Sequence, residues 1–225
     1  MPSYAAIIDA FAGTGLTVRG GFAAGPDDAG LPAAPSGAPC GAVVLLGNAG
    51  REMWPHFLAG RRDEPHPLDA WTRRTVEPQA AALGVGTVYP NDQPYQPFQR
   101  WALRAEPVAP SPIGLLIHPD YGLWHAYRAA LLLDAAPDDL PARDDRPSPC
   151  PTCVGRPCLA ACPVGAHADA GFDVDACTGH ASSDAAPRCR DLGCRSRDGC
   201  PVGRGHRFGD DQVRFHLAAF LRERG

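Results

Sequence analysis

The residues best suited to chemistry in this chain are its cysteines. Nine are present, and eight of them lie between Cys150 and Cys200. They are spaced as Cys150-x2-Cys153-x4-Cys158-x3-Cys162-Pro163, then Cys177 alone, then Cys189-x4-Cys194-x5-Cys200-Pro201. Thiols this dense serve as disulfide partners, zinc ligands, a redox pair or the cradle of an iron–sulfur cluster. The amino terminus, "MPSYAAIIDAFAG", has no basic leader and carries Asp9 inside its apolar run, so no secretory signal is expected. No apolar stretch approaches the ~20 residues of a membrane-spanning helix. The expected compartment is the cytoplasm, where thiols stay reduced and clustered cysteines read as metal or catalytic sites. A chain of 225 residues also buries a core without covalent staples.

Zinc competes for the same thiols, and Cys150-x2-Cys153 is a common knuckle spacing. Structural zinc sites pair two such knuckles, however, and no second C-x2-C exists here. "CPTC" (150–153) lacks the strand-to-helix setting that would activate a thiol. Two clusters of four ligands need eight thiolates, and each half of the run ends in Cys-Pro-Val-Gly. This is similar to the bacterial ferredoxin run, in which three cysteines wrap one cluster and the fourth reaches the other. The pattern points to two [4Fe–4S] clusters. One cluster with spare cysteines and a zinc-stabilised binding module stay open.

The elements that must position these thiols are legible in outline. The proline- and aspartate-rich stretch at 137–149 reads as a linker. It separates an α/β domain (1–136) from a cysteine module (150–208) and a final helix (209–225) expected to pack back on the first domain. In the first domain Ser3 caps an expected helix with Tyr4, Ile7, Ile8 and Phe11 on one face, ended by Gly13 and Gly15. "AVVLLG" (42–47) has the continuous apolar character of a strand buried on both faces. Asp69 starts a helix with Trp71 and Val76 inward, which Pro78 should kink or end. "GTVYP" and "IGLLIH" are shorter strand candidates, and "HAYRAALLL" (125–133) fits helix and strand periods about equally. The module itself is poor in large apolar residues: Leu159, Phe172, Val174, Leu192 and Phe208 are most of its core. Bound metal is the natural organiser.

Composition removes several chemistries. The chain has no lysine, so a Walker phosphate loop and a Schiff-base lysine are excluded. "GTGLTVRGG" lacks the full dinucleotide fingerprint. "GNAGREMW" (47–54) offers backbone amides to an anion, or is a plain strand-to-helix turn. Charges of both signs are mixed along the chain, so no nucleic-acid-binding stripe is indicated.

The cysteine arrangement resembles the dicluster ferredoxin-like module of epoxyqueuosine reductases and reductive dehalogenases. In those families an α/β domain of nitroreductase-like fold with a mixed sheet, shared with CblC-type proteins, precedes the clusters and binds a corrinoid. The stretch "QPFQRWALRAEPVAPSPIGLLIHPDYGLWHAYRAALLL" (96–133) is similar to the families' segment before the clusters, where a glycine-bearing hairpin covers the cofactor. The resemblance implies that Cys150, Cys153, Cys158 and Cys200 hold one cluster, and Cys162, Cys177, Cys189 and Cys194 the other. It implies one-electron transfer to a redox partner protein, or a reductase feeding a cobalamin or flavin in its own first domain. The proton-donating Arg-Asp-Tyr-His stretch of epoxyqueuosine reductases has no counterpart, so that particular reduction is not expected.

Other residues invite roles beside bland readings. Tyr121 or His125, with Asp120 to orient it, would serve as a proton donor; alternatively the aromatics of "IHPDYGLWHAYR", His118 and Trp124 included, pack a turn. His167 and His180 stand among the cysteines as spare ligands, as hydrogen-bond donors to ligands, or as surface residues. Arg188, Arg190, Arg195, Arg197, Arg204 and Arg207 offset cluster charge or dock an acidic partner, with Asp184, Asp191 and Asp198 interspersed. Cys40 precedes a buried strand and reads as a passive core thiol.

Overall fold

The computed structural model describes all residues except Ala29, Asp169, Ala170, 184–186, Arg224 and Gly225. Asp184 is therefore outside the described residues. The chain divides into two compact units: residues 1–107 with 125–145, and residues 108–124 with 146–225.

Unit 1 opens with α1 (Tyr4–Phe11), where the Ser3 hydroxyl accepts from the Ala6 amide at 3.1 Å. Such a cap satisfies one of the amides that a first turn leaves orphaned. Ile7 and Phe11 are buried while Ile8 is exposed. Next come β1 (Thr17–Ala23), β2 (Ala42–Ala49) and α2 (Met53–Gly60), followed by α3 (Pro67–Leu83), β3 (Gly86–Val88) and α4 (Phe98–Ala105). Pro78 lies inside α3 without ending it. It sits on the exposed face, where water can serve the carbonyl its missing amide leaves open. Proline at the first helical position, Pro67, starts this helix two residues before Asp69.

After Pro107 the chain enters unit 2 for a small hairpin, β4 (Ala109–Pro110) and β5 (Leu116–Ile117). It returns as β6 (His125–Leu133). The segment of ambiguous period is thus a long strand, paired from His125 to Leu133 with a bulge at Arg128. The sheet order is β1-β2-β6-β3. Every pairing in it is antiparallel, so the sheet is not the mixed one expected. β2 is buried at every position but its last, and its partners Leu131, Leu132 and Leu133 complete the core.

One polar knot ties unit 1 together. β1 and β6 each carry a bulge beside β2, at Val18/Gly21 and opposite Leu46/Gly47. Bulges re-aim side chains. Arg19, only 2% exposed, points inward and meets both carboxylate oxygens of Glu106 at 2.8 Å. Its remaining nitrogen donates to the Asn48 carbonyl at 2.9 Å, and Tyr127 donates to Glu106 at 2.6 Å. The Arg143 guanidinium donates to the Glu106 backbone carbonyl at 3.1 Å.

Unit 2 continues from Arg146 with α5 (Pro157–Ala160), the ribbon β7 (His167–Ala168) and β8 (Gly171–Phe172), and α6 (Val174–Ser182). α7 (Pro187–Leu192), α8 (Arg195–Gly199) and α9 (Asp210–Arg222) complete it. These boundaries differ from those expected from composition. The hairpin segment belongs with the cysteine module, and so does α9, which packs on α7. No helix is long and apolar enough to cross a membrane among the described residues.

Arg19→Met would leave Glu106 buried beside Tyr127 without its cation. The expected loss is about 3–5 kcal/mol of stability, the scale for breaking a buried ion pair from one side. A lowered urea midpoint measures it.

Candidate metal centre

The eight clustered cysteines fall into two sets in space. Cys150, Cys153, Cys158 and Cys200 line one cavity. Cys162, Cys177, Cys189 and Cys194 line another. All eight are free thiols. The sets coincide with the grouping that the resemblance implies. No three His, Cys, Asp or Glu side chains converge on a single point among the described residues.

Electrostatics draws the same partition. Burial raises the thiol of Cys200 above its ordinary range, and Cys158, Cys150 and Cys153 raise it further. Cys150 is likewise raised by burial, with contributions from Cys158 and Cys153. In the other set burial pushes Cys177 up to about 11, with Cys194, Cys162 and Cys189 adding to it. Cys189 is raised by burial and then by Cys194. Cys150, Cys158, Cys200, Cys177 and Cys189 are each raised in part by members of their own set. Left without a cation such thiols stay protonated near neutrality; a bound cation exchanges places with those protons.

The local chain explains the placement. Cys153 turns back on Cys150, its amide donating to the Cys150 carbonyl at 3.2 Å. Arg156 takes a left-handed backbone, φ +40°, at the start of α5, which then carries Cys158 inward. Four residues later Cys162 faces the other cavity and accepts the Ala166 amide at 3.3 Å. Cys194 stands just before α8 and Cys200 just after it, so this one short helix also joins the two sets. Pro163 and Pro201 follow the last thiol of each half-motif with no competing donor.

The hairpin segment supplies the apolar wall of the first cavity through Ile117 and Leu123, packed with Cys158 and Cys200. Its turn is clamped to the module: His118 and Gly122 exchange backbone bonds of 2.9 Å. A Cβ on Gly122 would stand 2.1 Å from the Val202 carbonyl, and one on Gly203 2.2 Å from the Tyr121 backbone. Both glycines have positive φ, +57° and +69°. Arg197 lies between Trp124 and Phe208, 4.4 and 4.6 Å from their ring centres, and donates to the Leu123 carbonyl.

The proposed proton-donor residues are distributed differently. Asp120 is held by Arg146 through two bonds of 2.7 Å, which keeps its carboxyl below the usual range. Tyr121 stacks on His118 at 4.4 Å between ring centres. Both belong to unit 2, whereas His125 belongs to unit 1, where its Nδ1 is 3.4 Å from Arg19. His167 and His180 line the second cavity; burial lowers His167, whose ring stacks on Phe172 at 4.7 Å. Arg195 lines the same cavity and Arg156 the first. Arg207 is tied to Asp198 and Asp210, and Arg190 to Asp191. Cys40 is buried, its thiol on the Ala42 carbonyl at 3.1 Å.

Sequence reasoning missed Ser111, Ser196 and Arg156 as cavity-lining residues. The one signal for them was position: Ser196 follows Cys194 by two residues, and Arg156 precedes Cys158 by two.

No family model matches the chain, nor does any curated protein. Among solved structures it is similar to epoxyqueuosine reductase from Streptococcus thermophilus, with 14% identity over 74% of this chain and 50% of that one, TM-score 0.48. The enzyme from Bacillus subtilis gives 16% identity over 76% and 50%, TM-score 0.47. A reductive dehalogenase, whose structure suggests a mechanism for B12-dependent dehalogenation, gives 16% over 91% and 33%, TM-score 0.44. The chain spans about half the length of the epoxyqueuosine reductases it matches.

Gly122→Ala or Gly203→Ala should force the two backbones apart. A loss of about 1–3 kcal/mol is expected, as for other overpacked sites, read as a lower melting temperature, with Gly205→Ala, which meets nothing, as the control.

Proposed function

We propose that the protein is an electron-transfer protein holding two [4Fe–4S] clusters, one in each four-cysteine cavity. The observation that carries this reading is the division of eight thiols into two sets of four around two separate cavities. A [4Fe–4S] group takes one thiolate at each of its four irons, so each set of four matches one such group. A single zinc ion, with Zn–S near 2.3 Å, would draw four sulfurs to about 3.8 Å of one another.

When bound, such clusters accept and release one electron at a time. The chain's own residues do the rest. Cys150, Cys153, Cys158 and Cys200 would hold the first group, and Cys162, Cys177, Cys189 and Cys194 the second. Arg156 lowers the thiols of Cys150 and Cys158, and Arg195 that of Cys189, so each cation favours the anionic ligand. Ile117 and Leu123 keep water from the first cavity. The segment from Cys158 to Cys162 belongs to both sets, and four residues span at most about 14 Å. The two groups would therefore sit within reach of each other for electron exchange. The electrons would go to a partner protein in the cytoplasm. A reductase passing them to a corrinoid or flavin in unit 1 is the outcome that a bound organic cofactor would reveal.

Anaerobically purified protein should carry about eight iron and eight acid-labile sulfide per chain, with a broad visible band that bleaches with dithionite. Cys177→Ala should halve the iron, and Cys40→Ala should leave it unchanged. A colourless protein with stoichiometric zinc, still so after anaerobic reconstitution with iron and sulfide, would overturn the proposal.

A further inference from the structure

We propose that Ser111 and Ser196 each donate a hydrogen bond into one four-cysteine cavity and thereby set the reduction potential of the group held there. The proposal rests on the iron–sulfur reading above. Ser111 lines the cavity of Cys150, Cys153, Cys158 and Cys200, and Ser196 lines the cavity of the other four. The hydroxyl of each is buried and has no hydrogen-bond partner among the described residues. No cysteine sulfur accepts from either.

Buried hydroxyls are expensive to leave unmade, so each one asks for an explanation. Neighbouring hydroxyls in unit 2 show the ordinary solution. Thr178 donates to the Val174 carbonyl at 2.9 Å, Ser183 to the His180 carbonyl at 2.8 Å, and Ser148 accepts the Cys150 amide at 3.3 Å. The two serines on the cavity walls do none of this. Their backbones are nonetheless fixed. The Ser111 amide donates to the Leu115 carbonyl at 2.9 Å, and its carbonyl accepts the Gly114 amide at 3.0 Å. Ser196 is in the first turn of α8, two residues after Cys194, and is 1% exposed. A serine hydroxyl has one donor proton on a single rotor. With the backbone fixed and the surroundings closed, the proton's remaining direction is the cavity.

The sign of the effect follows from charge. Reduction adds one electron to a group already negative through its four thiolates. A hydroxyl dipole aimed at a sulfur of that group favours the added charge and raises the potential, as hydrogen bonds to cluster sulfurs do. Removing it lowers the potential. Each serine serves a different cavity, so each variant should move a different step. This gives the chain a means of setting the two potentials separately.

The test is a dithionite titration of full-length, anaerobically purified wild type, Ser111→Ala and Ser196→Ala, followed by electron paramagnetic resonance. Iron and sulfide should be unchanged in all three. Ser111→Ala should shift one of the two one-electron steps, and Ser196→Ala the other, to more negative potential. The expected shift is about tenfold in the reduced-to-oxidised ratio, or about 59 mV for one electron. Ser111→Thr and Ser196→Thr should restore the wild-type value. Wild type moved into heavy water should also show shifted iron–sulfur stretching frequencies by resonance Raman. The part of that shift lost in Ser111→Ala or Ser196→Ala belongs to the hydroxyl removed, since the Ala166 amide on the Cys162 sulfur contributes its own shift in every variant. Intact clusters with both steps unmoved, and a deuterium shift as large in the alanine variants as in wild type, would overturn this inference and leave the iron–sulfur reading standing. Wild type without iron and sulfide would remove both.

Discussion

The structure of unit 2 depends on one constraint: each set of thiols must be completed from a distant part of the chain. Cys200 closes the set begun at Cys150, and Cys162 leaves its neighbours to join Cys177, Cys189 and Cys194. The two sets are therefore interlocked, and neither is a local loop. The short α5 and α8 make sense in these terms, since each carries the chain from one cavity to the other. Few large apolar side chains are buried between Cys150 and Phe208, so the ligation proposed above would take over the role that burial plays in unit 1.

Unit 1 shows the contrasting economy. Its order comes from a fully buried central strand between two partners, with helices alongside. The exception is the knot around Arg19 and Glu106. A buried charge pair contributes little net stability, because desolvation offsets its attraction. It does, however, make the wrong arrangement costly. Arg19 comes from β1, Glu106 follows α4, Tyr127 comes from β6 and Asn48 ends β2. Only one relative placement of those elements satisfies all of them.

Residue spacing made part of this legible. The cysteine run announces itself because its thiols recur at short intervals and each half ends in Cys-Pro, and the Ser3 cap and the β2 run follow from local rules. What stayed hidden depends on contacts far apart in sequence. Arg19 and Glu106 are separated by 87 residues, and nothing near either one signals the other. The period of 125–133 is ambiguous because Tyr127 and Arg128 interrupt its apolar pattern at a bulge. Pro78 misleads because its position on an exposed face is settled by tertiary packing. The membership of 108–124 in unit 2 was invisible for the same reason, since composition marks the later linker and gives no sign of an earlier crossing. Ser111 and Ser196 are chemically ordinary; only the walls they occupy single them out.

The hairpin segment carries a consequence for modularity. A chain that leaves one unit, contributes to another and then returns cannot be cut into two independently inherited pieces. A fragment starting after Asp145 would keep all eight clustered thiols yet lack Ser111, Ile117 and Leu123, and with them part of the first cavity's wall. A fragment ending at Asp145 would carry that wall with nothing to enclose. Gene fusion or recombination within the proline-rich stretch would therefore separate parts that fold together. The two units are bound to a shared descent by the path of the backbone, whatever each of them does alone.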